Sequence, residues 1–136
     1  MIERGDELLL EKNPDLLLSE PVGSCTDLSA TVINPIKKFF ADKFRVAPFS
    51  VVVDPARLQQ VLSGKTTVFT ESVLYIFAKQ MEEADILVLN KVDKLAPTEL
   101  AELKAALKSK FPRAEVVSHS ALTGEGVDAW LEMIQQ

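Results

Sequence analysis

Short apolar segments alternate along the chain with longer segments whose apolar residues recur at helical spacing. An apolar run without polar alternation is typical of a strand buried on both faces of a parallel sheet. The predicted strands are residues 16–18, 49–53, 86–89 and 115–117. The alternation predicts a single α/β domain over residues 1–136: three α/β/α layers around a mainly parallel sheet of at least four strands.

Helices are predicted between these strands. The first covers residues 2–12, and the second follows Gly23, is interrupted near Asn34-Pro35 and ends around Phe44. Asp54-Pro55 is typical of an N-cap followed by proline in the first helical position. Later helices are predicted from residue 55 to the Gly64 region, at 68–83, from 97 until proline stops it at 112, and around 127–134, where Trp130 lies on the core face.

Composition and charge exclude several function classes. The formal net charge is -5 and the basic residues are scattered, which is a poor match for nucleic-acid binding. No run of 18 apolar residues exists, so we expect no membrane-spanning helix. Cys25 is the only cysteine, which excludes an internal disulfide and fits a reducing compartment. We expect a cytoplasmic protein.

The sequence Asn90-Lys91-Val92-Asp93 follows the third predicted strand, and open α/β sheets bind ligands beyond the carboxyl ends of their strands. Guanine carries N1–H and a 2-amino group side by side, and the Asp93 carboxylate can accept hydrogen bonds from both. Adenine lacks these donors and would leave the carboxylate unpaired. Asn90 can bond the neighbouring loops and the N7 side of the base, and Lys91 can lay its alkyl stem along the purine face. A polar strand-to-helix turn is the alternative.

Two further segments follow predicted strands. In Ser120-Ala121, the Ala121 backbone N–H can donate to guanine O6, where adenine presents a donor instead. Glu20, in Glu20-Pro21-Val22-Gly23, can hold Mg²⁺ through water or orient an attacking water. Gly23 permits close approach of its N–H to a γ-phosphate. A simple Pro–Gly turn explains this last segment equally well.

These segments, in this order, resemble the G3E family of P-loop GTPases, which includes CobW-like proteins and the nickel accessory proteins of hydrogenase and urease. That family carries glutamate in its E-x-x-G motif, here Glu20 to Gly23, where most GTPases have aspartate. The resemblance covers about residues 15–136 and includes the strand end at Asp54. It implies binding of GTP or GDP with Mg²⁺, a catalytic role for Glu20, and delivery of cobalt, nickel, zinc or a metal cofactor to a client metalloenzyme.

The resemblance is incomplete because no phosphate-binding loop is present. Gly64-Lys65-Thr66 lacks a glycine five positions earlier, where Gln59 stands, and it follows a helix rather than a strand. The first strand and phosphate loop of the family domain are therefore missing, through an artificial start, a misplaced start or a split gene. We expect this chain alone to hydrolyse GTP very poorly, because nothing cradles the phosphates.

Loss of an interior strand predicts an exposed apolar edge, and hence self-association or pairing with a chain that supplies the missing N-terminal segment. Two alternatives to the GTPase interpretation remain. One is a non-enzymatic interaction module that has abandoned nucleotide. The other is a metal carrier that shares Cys25 and His119 between subunits, although one cysteine and one distant histidine do not form a site by themselves. Cys25 is otherwise an ordinary small loop residue.

Overall fold

The computed structural model describes residues 2–64 and 69–135. Lys65 and Thr66 of the Gly-Lys-Thr sequence, and the predicted helix start at Val68, lie outside the described residues. The helices are α1 (Ile2–Lys12), α2 (Asn34–Phe39), α3 (Pro55–Leu62), α4 (Glu71–Glu83), α5 (Pro97–Lys110) and α6 (Val127–Gln135). The strands are β1 (Ser50–Val53), β2 (Ile86–Leu89) and β3 (Glu115–Ser118).

The three strands form one parallel sheet in the order β1-β2-β3. Val53 pairs with Leu89, and Leu89 pairs with Ser118, so all three strands end at the same level. Strand β2 is buried along its whole length because it has a neighbour on each side and helices on each face. The fully apolar sequence of this strand is the consequence of that position.

Helices cover both faces of the sheet. On one face, a cluster of buried side chains joins the strands to α3, α4 and α5; it contains Val53, Leu58, Met81, Ala84, Leu87, Leu89, Leu103, Leu107, Phe111 and Ala114. Ser50 points to the other face, since side chains alternate along a strand. There its hydroxyl accepts a 3.0 Å hydrogen bond from the indole N–H of Trp130 on α6. The fold is therefore the predicted α/β/α arrangement.

Helix starts follow the capping chemistry of the sequence. The Asp54 carboxylate accepts a hydrogen bond from the Arg57 backbone N–H at 3.1 Å and caps α3, as predicted. The Thr70 hydroxyl caps α4 through the Val73 N–H at 3.4 Å. Helix α4 accordingly begins at Glu71, three residues later than the predicted start.

The predicted strand at residues 16–18 is wrong. This segment is not a strand, and Leu16 and Leu18 expose 60% and 82% of their surface. A strand needs a hydrogen-bonding neighbour, and β1 pairs only with β2 among the residues that the structure describes. The sheet there consequently has three strands, not the predicted four or more. Val52 on the open edge strand β1 is 57% exposed.

The helical stretch after Gly23 also differs from its prediction. A π-helical turn (Ser29–Ile33) leads directly into α2, so Asn34-Pro35 does not interrupt the helix. Pro35 has no backbone N–H to donate to the preceding turn, and that turn is π-helical rather than α-helical. Helix α2 ends at Phe39 rather than around Phe44. Across the two described ranges, no helix is both long enough and apolar enough to pass through a bilayer.

Candidate functional site

The carboxyl ends of the strands bring three loops together. Beyond the last paired residues, the Asn90 N–H donates to the Val53 carbonyl at 3.1 Å, and the His119 N–H donates to the Leu89 carbonyl at 2.9 Å. These bonds extend the sheet pattern by one residue on each side of β2. Asp54, which follows Val53, therefore lies in line with the loops after β2 and β3.

Asn90 ties the loop after β2 to the loop after β3. Its side-chain Oδ1 accepts hydrogen bonds from the backbone N–H of Lys91 at 2.7 Å and of Ala121 at 3.0 Å. Lys91 has left-handed backbone angles, with φ 59°, and a short 3₁₀ turn (Val92–Lys94) follows it. Because Oδ1 is occupied by two donors, the amide NH₂ of Asn90 is the group that can act on a ligand.

Ser120 fixes the carboxylate of Asp93. The Ser120 side chain is fully buried, and its hydroxyl donates to Asp93 Oδ1 at 2.5 Å. The Ser120 hydroxyl oxygen accepts in turn from the Thr123 N–H at 3.2 Å, which sets the direction of the hydroxyl proton. Asp93 itself is exposed, so a fixed acceptor faces solvent at the edge of the sheet. The sequence predicted Ser120 as a binding residue but did not reveal that it orients Asp93.

Gly126 closes the loop after β3 onto the strand. Its φ is +74°, and a Cβ at this position would lie 2.3 Å from the Ser118 carbonyl oxygen. The Ser120 N–H donates to the Glu125 carbonyl at 2.8 Å, which completes the tight loop. Gly126 was not predicted from the sequence, although a glycine just before a helix in a short loop is a signal of close backbone approach.

Lys91 reaches across to the end of β1. Its Nζ lies 2.5 Å from Asp54 Oδ2, and both side chains are partly exposed. This hydrogen bond from Lys91 holds the pKa of the Asp54 carboxyl below its ordinary value. The sequence had explained Asp54 by helix capping alone; its position at the carboxyl end of a neighbouring strand was the available signal for the second contact.

His119 lies beneath this site. Its side chain is buried, and neither ring nitrogen has a hydrogen-bond partner among the described residues. The imidazole packs edge-on against Trp130, with ring centroids 5.7 Å apart. Burial lowers the pKa of His119 below its ordinary value because the charged form would lose its hydration. His119 is therefore a neutral core residue that supports the Ser120 loop.

The structure does not bring Glu20 and Gly23 to this edge. The Gly23 carbonyl accepts a 3.0 Å hydrogen bond from the Gln80 amide, in the last part of α4. Helix α4 leads into the start of β2, so Gly23 lies towards the amino ends of the strands, away from Asn90. Glu20 is exposed. Without a paired strand at residues 16–18, nothing carries this segment to the opposite edge.

Within one chain, the predicted metal ligands Cys25 and His119 contact different side chains. The half-buried Cys25 accepts a 3.0 Å hydrogen bond at its carbonyl from the Gln80 amide of α4, whereas His119 is packed against Trp130. Within the two described ranges, no group of three histidine, cysteine, aspartate or glutamate side chains could hold a metal ion. Glu20 offers a single exposed carboxylate, so these residues alone do not fit a Mg²⁺ site.

Comparison with known proteins gives two results. The family model of the CobW/HypB/UreG nucleotide-binding domain matches residues 1–118. The crystal structure of the hydrogenase maturation factor HypB from Archaeoglobus fulgidus is similar over 65% of this chain and 42% of that one, with 20% identity and a TM-score of 0.46. The chain thus spans less than half the length of that protein.

Proposed function

Because the chain belongs to the CobW/HypB/UreG family of nucleotide-binding domains, we propose that it recognises the guanine base of a nucleotide beyond the carboxyl ends of β2 and β3. The observation that carries this proposal is the Asp93 carboxylate, fixed at 2.5 Å by the buried Ser120 hydroxyl while Asp93 stays exposed. Each carboxylate oxygen has two acceptor positions, so the bond from Ser120 leaves capacity for guanine N1–H and the 2-amino group.

The neighbouring groups support guanine over adenine. The Asn90 NH₂ is a donor that suits N7. The Ala121 N–H is the donor proposed for guanine O6, and it is held at 3.0 Å by Asn90 Oδ1 in the absence of a base. When guanine binds, the Ala121 N–H must therefore either donate to both Asn90 Oδ1 and guanine O6 or exchange the first acceptor for the second. Adenine presents an amino donor at the same position and gains nothing from it.

The phosphates and Mg²⁺ require residues outside this edge. The 136 residues contain no Gly-x-x-x-x-Gly-Lys-Ser/Thr sequence. Where a phosphate cradle is supplied from outside these residues and the segment after residue 15 gains a strand neighbour, Glu20 and Gly23 respond to the γ-phosphate. The 136 residues by themselves hydrolyse GTP very poorly, since phosphoryl transfer depends on that cradle.

The open edge of β1 supports an association partner. Strand β1 pairs only with β2 among the described residues, and unpaired strand edges accept further strands. Leu16 and Leu18, in the unpaired segment earlier in the sequence, are exposed apolar residues. The partner is a segment that supplies the missing strand, or a second copy of this chain. Family membership supports a metallochaperone role, in which nucleotide turnover accompanies transfer of cobalt, nickel or zinc to a client metalloenzyme.

Calorimetric titration of the chain with GDP, GTP and ATP tests base recognition. We expect binding to guanine nucleotides, absent for ATP. Asp93→Asn is the sharpest variant, because it exchanges one acceptor oxygen for a donor at nearly constant shape. This variant should no longer bind GDP and should instead bind xanthosine diphosphate, whose C2 carbonyl accepts a hydrogen bond from the new NH₂.

Two results would contradict the proposal. One is equal affinity for ATP and GTP, and the other is unchanged GDP binding by Asp93→Asn. Absence of all binding at millimolar nucleotide, both alone and with the family's phosphate-loop segment restored, would favour the interaction module that has abandoned nucleotide.

A further inference from the structure

The contact between Lys91 and Asp54 joins two loops that are distant in sequence. The Lys91 ammonium lies 2.5 Å from Asp54 Oδ2. At its other end, Lys91 is fixed by its left-handed backbone and by the bond from its N–H to Asn90 Oδ1 at 2.7 Å. The alkyl stem is thus attached at both ends, and it spans the gap between the ends of β2 and β1.

Asp54 is itself a rigid partner. Its Oδ1 accepts from the Arg57 N–H at 3.1 Å, and its backbone continues directly from the paired residue Val53. Most exposed ion pairs join two mobile side chains and contribute little. Here one oxygen caps α3 and the other meets Lys91, so the carboxylate has a defined orientation before the lysine arrives.

Helix capping alone does not require this arrangement. A cap needs one oxygen, and asparagine caps a helix about as well as aspartate. The second oxygen is directed at the one lysine of the Asn90-Lys91-Val92-Asp93 segment. Because both side chains are partly exposed, the pair adds little to the free energy of unfolding. What the ion pair does is fix the position of the Lys91 alkyl stem.

We propose that Asp54 is a positioning residue for guanine recognition: it holds Lys91 extended across the ends of β1 and β2, so that the alkyl stem forms a fixed apolar surface for the purine face beside Asp93. The inference rests on the proposed function. It adds a residue on a third strand to the site. Preorganisation of this kind strengthens binding because the side chain loses less rotamer freedom when the base arrives.

A double-mutant cycle with GDP calorimetry tests the proposal on the same chain used for base recognition. Asp54→Asn keeps the cap and removes the charge, and Lys91→Met keeps an apolar stem and removes the ammonium. Each should weaken GDP binding about fivefold, and the double variant should be no weaker than either single one. Glu82→Gln, which breaks the Lys79–Glu82 pair on α4, is the matched control and should leave affinity unchanged.

A second measurement does not depend on nucleotide. Carbon-detected NMR titration of Asp54 should show its carboxyl pKa rising in Lys91→Met, because the ammonium that lowers it is gone. An unchanged Asp54 pKa would overturn the contact itself.

The binding results separate this inference from the proposed function. Suppose that GDP binds and Asp93→Asn abolishes binding. Only this inference then fails if Asp54→Asn binds GDP as wild type does or more tightly. It fails equally if the double variant with Lys91→Met loses about 25-fold in GDP affinity, because independent losses multiply and Asp54 then does not act through Lys91. If neither wild type nor any variant binds GDP, alone or with the family's phosphate-loop segment restored, the proposed function fails and the positioning role fails with it.

Discussion

Substitution of Gly126 by alanine should be far more destabilising than the same change at Gly124, although both glycines have positive φ, +74° and +84°. A Cβ at Gly124 has no atom within 4 Å, so Gly124→Ala costs only the left-handed backbone conformation, about 1 kcal/mol. A Cβ at Gly126 would lie 2.3 Å from the Ser118 carbonyl oxygen, a backbone atom of β3 that cannot rotate away. This clash adds about 2 kcal/mol of overpacking, for a total of about 3 kcal/mol.

Urea denaturation of the two variants and wild type measures the difference in unfolding free energy, provided that the dependence of this free energy on urea concentration has the same slope in all three. Gly126→Ala should also weaken GDP binding, because Ser118 and Gly126 frame the loop that contains Ser120, whereas Gly124→Ala should bind as wild type does. Equal losses of unfolding free energy in the two variants would refute the argument from close approach. A large loss at Gly124 would show that φ strain, and not the Ser118 contact, governs this loop.

Three further predictions concern the surrounding contacts. Because the folded chain keeps His119 neutral with a lowered pKa, stability should fall as pH drops below 6.5, by at most about 1.4 kcal/mol per pH unit; His119→Phe should lack this part of the pH dependence in urea titrations at several pH values. Ser120→Ala should weaken GDP binding about tenfold in calorimetry, since Asp93 loses its fixed orientation; unchanged affinity would contradict that role. Trp130→Phe removes the 3.0 Å bond to Ser50 and should cost about 1 kcal/mol in thermal unfolding, with Ser50→Ala adding little further.

The central part of the fold could be predicted from local pattern. Strand β2 is buried on both faces, so its sequence is uniformly apolar and its end at Leu89 is followed at once by the polar Asn90. Asp54-Pro55 likewise contains the chemistry of a helix start. Strand-end position and the chemistry of guanine grouped Asn90, Asp93 and Ala121, and the structure joins Asn90 to Ala121 and Asp93 to Ser120.

Two of the errors share one physical cause. Residues 16–18 have the composition of a buried strand, but a strand forms only where a neighbour can pair with it, and composition does not supply that neighbour. Gly23 was expected at the ligand edge for the same reason and lies against Gln80 instead. The Lys91–Asp54 contact spans 37 positions in sequence, and its signal was the position of Asp54 at the end of a predicted strand.

The common level at which the three parallel strands end makes folding and recognition a single event. Asp54, Asn90 and Ser120 come together only when both strand pairings are in register. Each pairing closes a long loop, and the entropic cost of this closure comes before the long-range contacts that offset it. A chain with only one of the two pairings formed therefore lacks the complete site. A ligand held by these loops binds the native state alone, and at a hundred times its dissociation constant it would add about 2.7 kcal/mol to stability. Binding would therefore shift the folding equilibrium towards the native state, and the native fraction of the chain would rise with nucleotide concentration.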